Sequence, residues 1–398
     1  MTETTDQTTP LHTTPLHTTP LDALHRAWGA RMVPFAGYAM PVQYDFRDML
    51  SPDSDFKNAL SVRCKGGVLA EHLHCRAQAG MFDVSHMGQA SLHGATAAAA
   101  LERLVPSDIQ ALRQGRQRYT LLINEVGGII DDLMVARLAE DRLFLVVNAD
   151  RKDIDFSYLR TNLPADVTLE EHPDRALIAL QGPLAAAVMT RLCPPAAALP
   201  FMGITIATID GIAALISRSG YTGEDGFEIS VRAPDAERLA RLLLEQPEII
   251  PIGLGARDSL RLEAGLCLYG HDIDGVTTPI EAGLTWVIGK RRKMEWNFPG
   301  AIAIRDQLDN GAPRQRVGLR PDGRAPAREG TEIRANDGSK AGLITSGGFS
   351  PSLHAPIAMG YVRRDLAADG TEVQLMVRGK ALPARVAPLP FHPHRYAR

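Results

Sequence analysis

Cysteine is scarce in this chain of 398 residues: there are four, at positions 64, 75, 193 and 267, and no two form a C-x-x-C pair. That spacing excludes a disulfide framework and a zinc knuckle, so all four are expected as reduced, mostly buried thiols. An excess of one charge is also missing. Lys and Arg total 43 against 46 for Asp and Glu, a formal net charge of −3. With the signs interspersed, nothing resembles the basic field that neutralises a phosphate backbone, which argues against a nucleic-acid partner. No run of about eighteen apolar residues occurs, and the first twenty residues lack the basic start and apolar stretch of a secretory signal. The expectation is a soluble, cytoplasmic protein that does not engage a membrane.

What is present is average globular composition, 45% hydrophobic and 22% charged, with 35 Gly and 27 Pro to supply turns. A chain this long exceeds one core, because cores stop growing near about 250 to 300 residues. At the N-terminus, residues 8–22 read TTPLH, TTPLH, TTPLD. So short a repeat cannot build a core, and each Pro favours extended chain. Residues 1–19 are therefore expected to be a disordered tail, with order starting at Leu21 in a helix, LDALHRAWGA, that Gly29 stops. RMVPFAGYAMPVQY suits strands joined by tight turns. Residues 45–67 are polar and irregular, as in a surface excursion. VLAEHLHCRAQAGMFDVSH reads as a helix running into a strand. RYTLLIN, MVARLAEDRLFLVVN and ISRSGYTGEDGFEISV have strand alternation. Beyond Pro299 and Gly300, turn formers recur every eight to ten residues, which predicts a separate C-terminal β domain from about residue 313. The class is α+β.

Common catalytic motifs fail. Residues 283–290 approach a phosphate loop but have the wrong glycine spacing, and Arg291 stands where Ser or Thr is required. GLGARDS has two glycines of a dinucleotide fingerprint and no third, so it reads as a turn into a helix. His72, His74 and Cys75 do not share a helical face and do not make a metal site.

More informative is NEVGGIIDDLMV, where two adjacent acids interrupt an apolar strand. Burying a carboxylate costs desolvation energy, so at least one needs a partner or a purpose. Neighbouring strand residues point to opposite faces, so Asp131 and Asp132 cannot share a pocket, and one is expected to cap or salt-bridge. The pattern alone leaves open which acid is functional, if either is. SGYTGEDGFEISV sets Tyr221, Glu224, Asp225 and Glu228 around glycines, as a presenting loop or as a hairpin with a solvated edge. In GARDSLRLEAGLCLYGHDID the charges Arg257, Asp258, Arg261 and Glu263 load one helix and can pair among themselves.

These strings, with FDVSHMGQ, FPGA, TSGGFSPSL and AMGYV, closely resemble in order and spacing the T-protein family of the glycine cleavage system. The likeness runs from about Thr19 to the C-terminus. It implies a three-lobed cloverleaf: a folate-binding body over residues 20–290 as two lobes, and a C-terminal β-barrel over 313–392. It further implies an aminomethyltransferase that takes an aminomethyl group from the lipoyl arm of the H-protein and passes its methylene to tetrahydrofolate, releasing ammonia, with no metal. Carried over residue by residue, the resemblance makes Asp132 the essential acid and Glu228 the acid that grips the pterin. Tyr221 and Tyr119 become folate contacts, Arg257 and Tyr396 further substrate-binding positions, and Asn148 and Met87 flanking ones. The types suit the roles: a pterin shows an amino group and a ring N–H side by side, which one carboxylate can accept together. Tyr38 departs from the family, which has Trp there. The alternative is a folate-binding iron–sulfur assembly factor without transferase activity. That relative carries a KGCYxGQE-type signature, whereas SGYTGEDG has no cysteine. A folate domain of sarcosine-type oxidases normally comes fused to a flavin domain, for which the chain has no room.

Overall fold

The computed structural model describes residues 15–46 and 65–397, and the expected surface excursion lies largely outside them, as do residues 1–14 of the repeat tail. Order begins earlier than the repeats suggest. His17–Thr18 pairs in parallel with Tyr38 and Ala39, at the edge of a small sheet completed by Ala30–Phe35. The last TTPL unit is held in place by Thr19, which gives its hydroxyl to buried Asp83 at 2.6 Å, a contact that composition cannot reveal.

Two antiparallel sheets make the body. The first has five strands, ordered Arg116–Ile123, Ile129–Ala139, Arg142–Val147, Gly88–His93 and Thr168–Glu171. Its outer face is closed by the helices Ala97–Glu102 and Lys152–Asn162, whose Leu101, Phe156 and Leu159 pack on Leu133, Val135, Leu145 and Val147. The second has six strands, running Ile204–Ile209, Ile212–Ser217, Gly226–Arg232, Arg175–Gln181, Ala79–Asp83 and Ile249–Pro251, of which only the last pair is parallel. The amphipathic helix Ala236–Leu244 buries Leu239, Leu243 and Leu244 in the core of this second lobe. Alternation along each strand sends one side chain outward to these cores and the next inward, toward the other sheet. The inner faces meet around Ala136, Phe144, Ile204 and Leu215.

The third lobe is a closed six-stranded barrel whose first strand begins at Arg314. Its TSGGFSPS segment bonds to the body. Thr345 and Ser346 donate to Asp272 at 2.6 and 2.8 Å, while Ser350 and Ser352 donate to Glu263 at 2.5 and 2.7 Å. Asp272 also receives Arg261 at 2.7 Å, and Glu263 receives Arg76 at 2.8 Å. The helix charges thus pair as expected only for Arg261 with Asp258; Arg261 and Glu263 also reach beyond their helix to tie the barrel down.

Candidate active site

The strand Ile129–Ala139 separates the paired acids as its alternation requires. Asp131 points with Leu133 and Val135 into the outer core and is fully buried; Asp132 points with Met134 and Ala136 toward the second sheet. Asp132 is flanked from both neighbouring strands. Tyr119 lies diagonally across, since Leu121 pairs with Asp132 and Tyr119 with Met134, and its phenol favours the ionised form of the Asp132 carboxyl. On the other side Asn148, just past Arg142–Val147, donates Nδ2 to Asp132 Oδ1 at 2.7 Å.

Asp131 does not cap or salt-bridge, contrary to the sequence expectation. It accepts the Asn148 backbone N–H at 3.1 Å and Nδ2 at 2.9 Å, and the buried carboxyl of Asp155 beside it raises its pKa further. No cation reaches it because its face of the strand is the apolar core. Removal from water, with the charge of Asp131, pushes Asp132 up to about 7 despite the donors Tyr119 and Asn148. A carboxyl so placed changes protonation near neutral pH, as a proton-transfer group requires.

The second sheet brings the other residues. Glu228 lies on Gly226–Arg232 and accepts the Ser219 hydroxyl at 2.7 Å. It lines, with Gln117, Met134, Val146, Ser217 and Ser230, a narrow gap between the two inner faces. The loop before it is no solvated hairpin: Thr222 and Glu224 are fully buried. Gln181 receives Thr222 Oγ1 at 2.8 Å and donates to the Ser219 carbonyl at 2.9 Å. Gly220 and Gly226 abut that side chain so closely that any Cβ there would collide with it, which is why the loop is glycine-rich. Tyr221, thus presented, donates to the Cys267 carbonyl, and the Arg257 guanidinium stacks 4.7 Å over its ring.

Arg257 projects from the helix Leu254–Glu263, whose start is fixed by Glu71: its carboxylate takes the N–H of Gly253 at 2.8 Å and of Tyr44 at 2.7 Å. Arg257 Nη1 is buried and has no hydrogen-bond partner among the described residues, and Glu228 is the carboxylate whose charge acts on it. A buried unsatisfied donor beside an acid and an aromatic ring is suited to a polar ligand.

Met87 sits beside buried His86 and packs its side chain on the second-lobe core. Tyr396 is placed differently. Its ring stacks on Phe201 at 4.4 Å, and the preceding residue is strapped to the loop of Tyr221 by Arg395 N–H to the Gly223 carbonyl and Arg395 to Glu224 at 2.7 Å. The structure records no bond from Tyr396 to the Asp132 group. Sequence reasoning missed Trp286, which is 64% exposed yet stacks on Tyr119 at 5.5 Å. Its signal was an unexplained aromatic in the GLTWVIGK segment, a stretch weighed only as a phosphate loop.

Comparison with known proteins agrees with this architecture. Residues 21–292 match the GCVT N-terminal domain, and residues 314–392 match the glycine cleavage T-protein C-terminal barrel domain. The chain belongs to the glycine cleavage T-protein family. It is 46% identical over 383 residues to an aminomethyltransferase of Gallus gallus, covering 94% of this chain and 92% of that protein. With the aminomethyltransferase of Pisum sativum it shares 44% identity over 381 residues, 94% of this chain and 88% of the relative. A crystal structure of the glycine cleavage system aminomethyltransferase T from Bartonella henselae superposes with a TM-score of 0.86 at 42% identity, covering 96% of this chain and all of the other. The protein is thus an aminomethyltransferase of the glycine cleavage system, with the α+β three-lobed fold, and the assembly-factor alternative finds no support. Both eukaryotic relatives are named as mitochondrial, so they do not bear out the cytoplasmic expectation. No described helix is long and apolar enough to cross a membrane, and no described cluster of His, Cys, Asp or Glu could hold a metal ion.

Proposed function

We propose that the enzyme takes the aminomethyl group from the lipoyl sulfur of H-protein and gives its methylene to tetrahydrofolate, with Asp132 as the reacting acid. The observation that carries this reading is Asp132 itself: a carboxyl on the inner face of its strand, held by Asn148, flanked by Tyr119, and poised near neutral pH. In the transfer, folate N5 and N10 each form a bond to the methylene carbon. Its bonds to nitrogen and sulfur break, and the two protons leaving N5 and N10 end on ammonia and on the lipoyl thiol. Positive charge develops on nitrogen as N5 attacks. A fixed carboxylate stabilises that charge and can relay one proton.

The remaining roles follow from chemistry. Glu228 accepts the paired donors of the pterin. Arg257 offers its unsatisfied Nη1 to the ligand, and Tyr221 and Tyr119 present ring faces; Asn148 holds Asp132, and Met87 supplies an apolar wall. Tyr396, at the strapped C-terminus, belongs to the rim where the partner's arm would enter. The cytoplasmic location stays part of this proposal and is tested by fractionating cells of the source organism.

The experiment is an assay with aminomethylated H-protein and tetrahydrofolate that follows methylene-tetrahydrofolate and ammonia together. Equal, folate-dependent release of both supports the reading. Ammonia release that ignores folate would reject it.

A further inference from the structure

Behind Asp132 stands a second acid whose role the transfer chemistry above does not use. Asn148 carries one side-chain amide, and its Nδ2 makes three contacts: 2.9 Å to Asp131 Oδ1, 2.7 Å to Asp132 Oδ1 and 3.2 Å to the Asp132 carbonyl. The Asn148 backbone N–H also donates to Asp131, at 3.1 Å. Asp131 therefore grips Asn148 at two points from the core side, while the same amide reaches through to the inner face and holds Asp132.

An amide can be turned end for end at almost no steric cost, exchanging its donor for its acceptor. Only an acceptor behind it selects the orientation that donates to Asp132. We propose that Asp131 is a positioning residue, which fixes the Asn148 amide so that it stabilises the ionised form of Asp132. The inference rests on the reading of Asp132 as the reacting acid.

Asp155, from the helix Lys152–Asn162, completes the arrangement. Its carboxyl is fully buried beside that of Asp131, and neither oxygen has a hydrogen-bond partner among the described residues. Two carboxyls side by side in an apolar core keep one proton between them; burial is the main cause that raises both above the usual carboxylate range, helped by the Asp155 charge for Asp131 and by the Asp132 and Asp150 charges for Asp155. That proton keeps Asp131 from placing a full negative charge beside Asp132 without costing the acceptor that Asn148 needs. The surrounding titratable groups fit this balance. Arg151, the nearby cation, lies 4.9 Å over the Tyr269 ring and donates to the Ile130 carbonyl at 3.1 Å, and its charge lowers Asp155 without overcoming burial. Asp150 and Asp274 add only further negative charge at the edge, and Tyr119 and Tyr269 are kept neutral by burial.

Asp131→Asn tests the inference, because it keeps the shape and turns a donor toward Asn148. The amide should then flip and face Asp132 with its oxygen. Transfer kcat should fall about tenfold at pH 7, and the pH midpoint of kcat should rise by about one unit, with tetrahydrofolate affinity held. In the Asn148→Ala background, where no amide remains to orient, Asp131→Asn should cost nothing further in kcat. Should the Asp131 variant fold poorly, Asp155→Asn provides the second reading. Its amide donates to Asp131, frees the shared proton and leaves a full charge near Asp132, which again raises the midpoint. Midpoints that stay at the wild-type value in every variant that folds, or a kcat cost that adds to that of Asn148→Ala, would reduce Asp131 to a structural residue. Retention of full transfer activity by Asp132→Asn would instead overturn the function reading itself.

Discussion

Asn148 Nδ2 lies 2.7 Å from one oxygen of Asp132 and 2.9 Å from one oxygen of Asp131, so a single amide joins an acid of the outer core to an acid of the inner face. Strand alternation puts the two carboxylates on opposite sides, and the residue after the neighbouring strand reaches both. Two consequences for Asp132 follow: it has a fixed orientation, and its charge state is sensitive to pH.

Asp132→Asn is expected to bind tetrahydrofolate normally and to lose transfer activity by about two to three orders of magnitude, as when one charge-stabilising group is removed from a preorganised site. Because Asp132 sits near 7, wild-type kcat should rise through that pH as the carboxylate forms. The variant should lack this limb. Rates measured from pH 5.5 to 8.5 decide it; a variant that keeps the limb would assign the titration to another group.

Glu228→Gln should weaken tetrahydrofolate binding about tenfold or more, since an amide accepts through one oxygen and turns a donor toward a ring that donates. Titration calorimetry without H-protein isolates this effect from chemistry. Ser219 should retain an acceptor in the variant, so the loop and the thermal midpoint should hold.

How much of this was legible in the sequence depends on the range of each interaction. The C-terminal β domain was readable because turn formers recur locally, and the opposite facing of Asp131 and Asp132 because alternation is a property of one strand. The role of Asn148 was not, since it needs the register of Ile129–Ala139 against Arg142–Val147. Nor was Trp286, which stacks on Tyr119 from 167 positions further along the chain (286 − 119). The acid Glu263 looked like a helix-surface charge until the TSGGFSPS hydroxyls of the barrel came to it.

That seam gives a stability prediction. Glu263→Ala would leave the Arg76 guanidinium, 7% exposed, with one of its two carboxylates gone and the hydroxyls of Ser350 and Ser352 without their acceptor. Breaking a buried pair by removing one partner costs about 3–5 kcal/mol. The thermal midpoint should drop by several degrees, and proteolysis should release the barrel earlier than in wild type. A midpoint unchanged within error would mean that the apolar contacts of Leu262 with Ile357 and Met359 hold the seam without the charges.

The N-terminal edge offers a prediction with a defined pH sign. Asp83 is fully sheltered, yet it is held down to about 2: burial opposes the charge, and His25 at 2.8 Å, the Ser85 N–H at 2.9 Å and the Thr19 hydroxyl at 2.6 Å together outweigh it. An unfolded Asp titrates near about 3.9. The depressed value therefore contributes stability that is complete above about pH 4 and is lost as the pH falls toward 2. Thr19→Val keeps the volume and removes one of the donors, so the folded value rises and the acid-unfolding midpoint should move to higher pH. At pH 7 the same change should cost about 1–3 kcal/mol, the usual consequence of taking a hydrogen bond from a buried charged group. Fluorescence of Trp28, buried in the same core, reports the transition on acid titration. The contrast is a deletion of residues 2–14, whose TTPLH text contains little that could enter a core, and which should leave both the midpoint and the transfer rate unchanged. If the deletion moved the acid midpoint while Thr19→Val did not, the repeats rather than the Thr19 contact would anchor this edge.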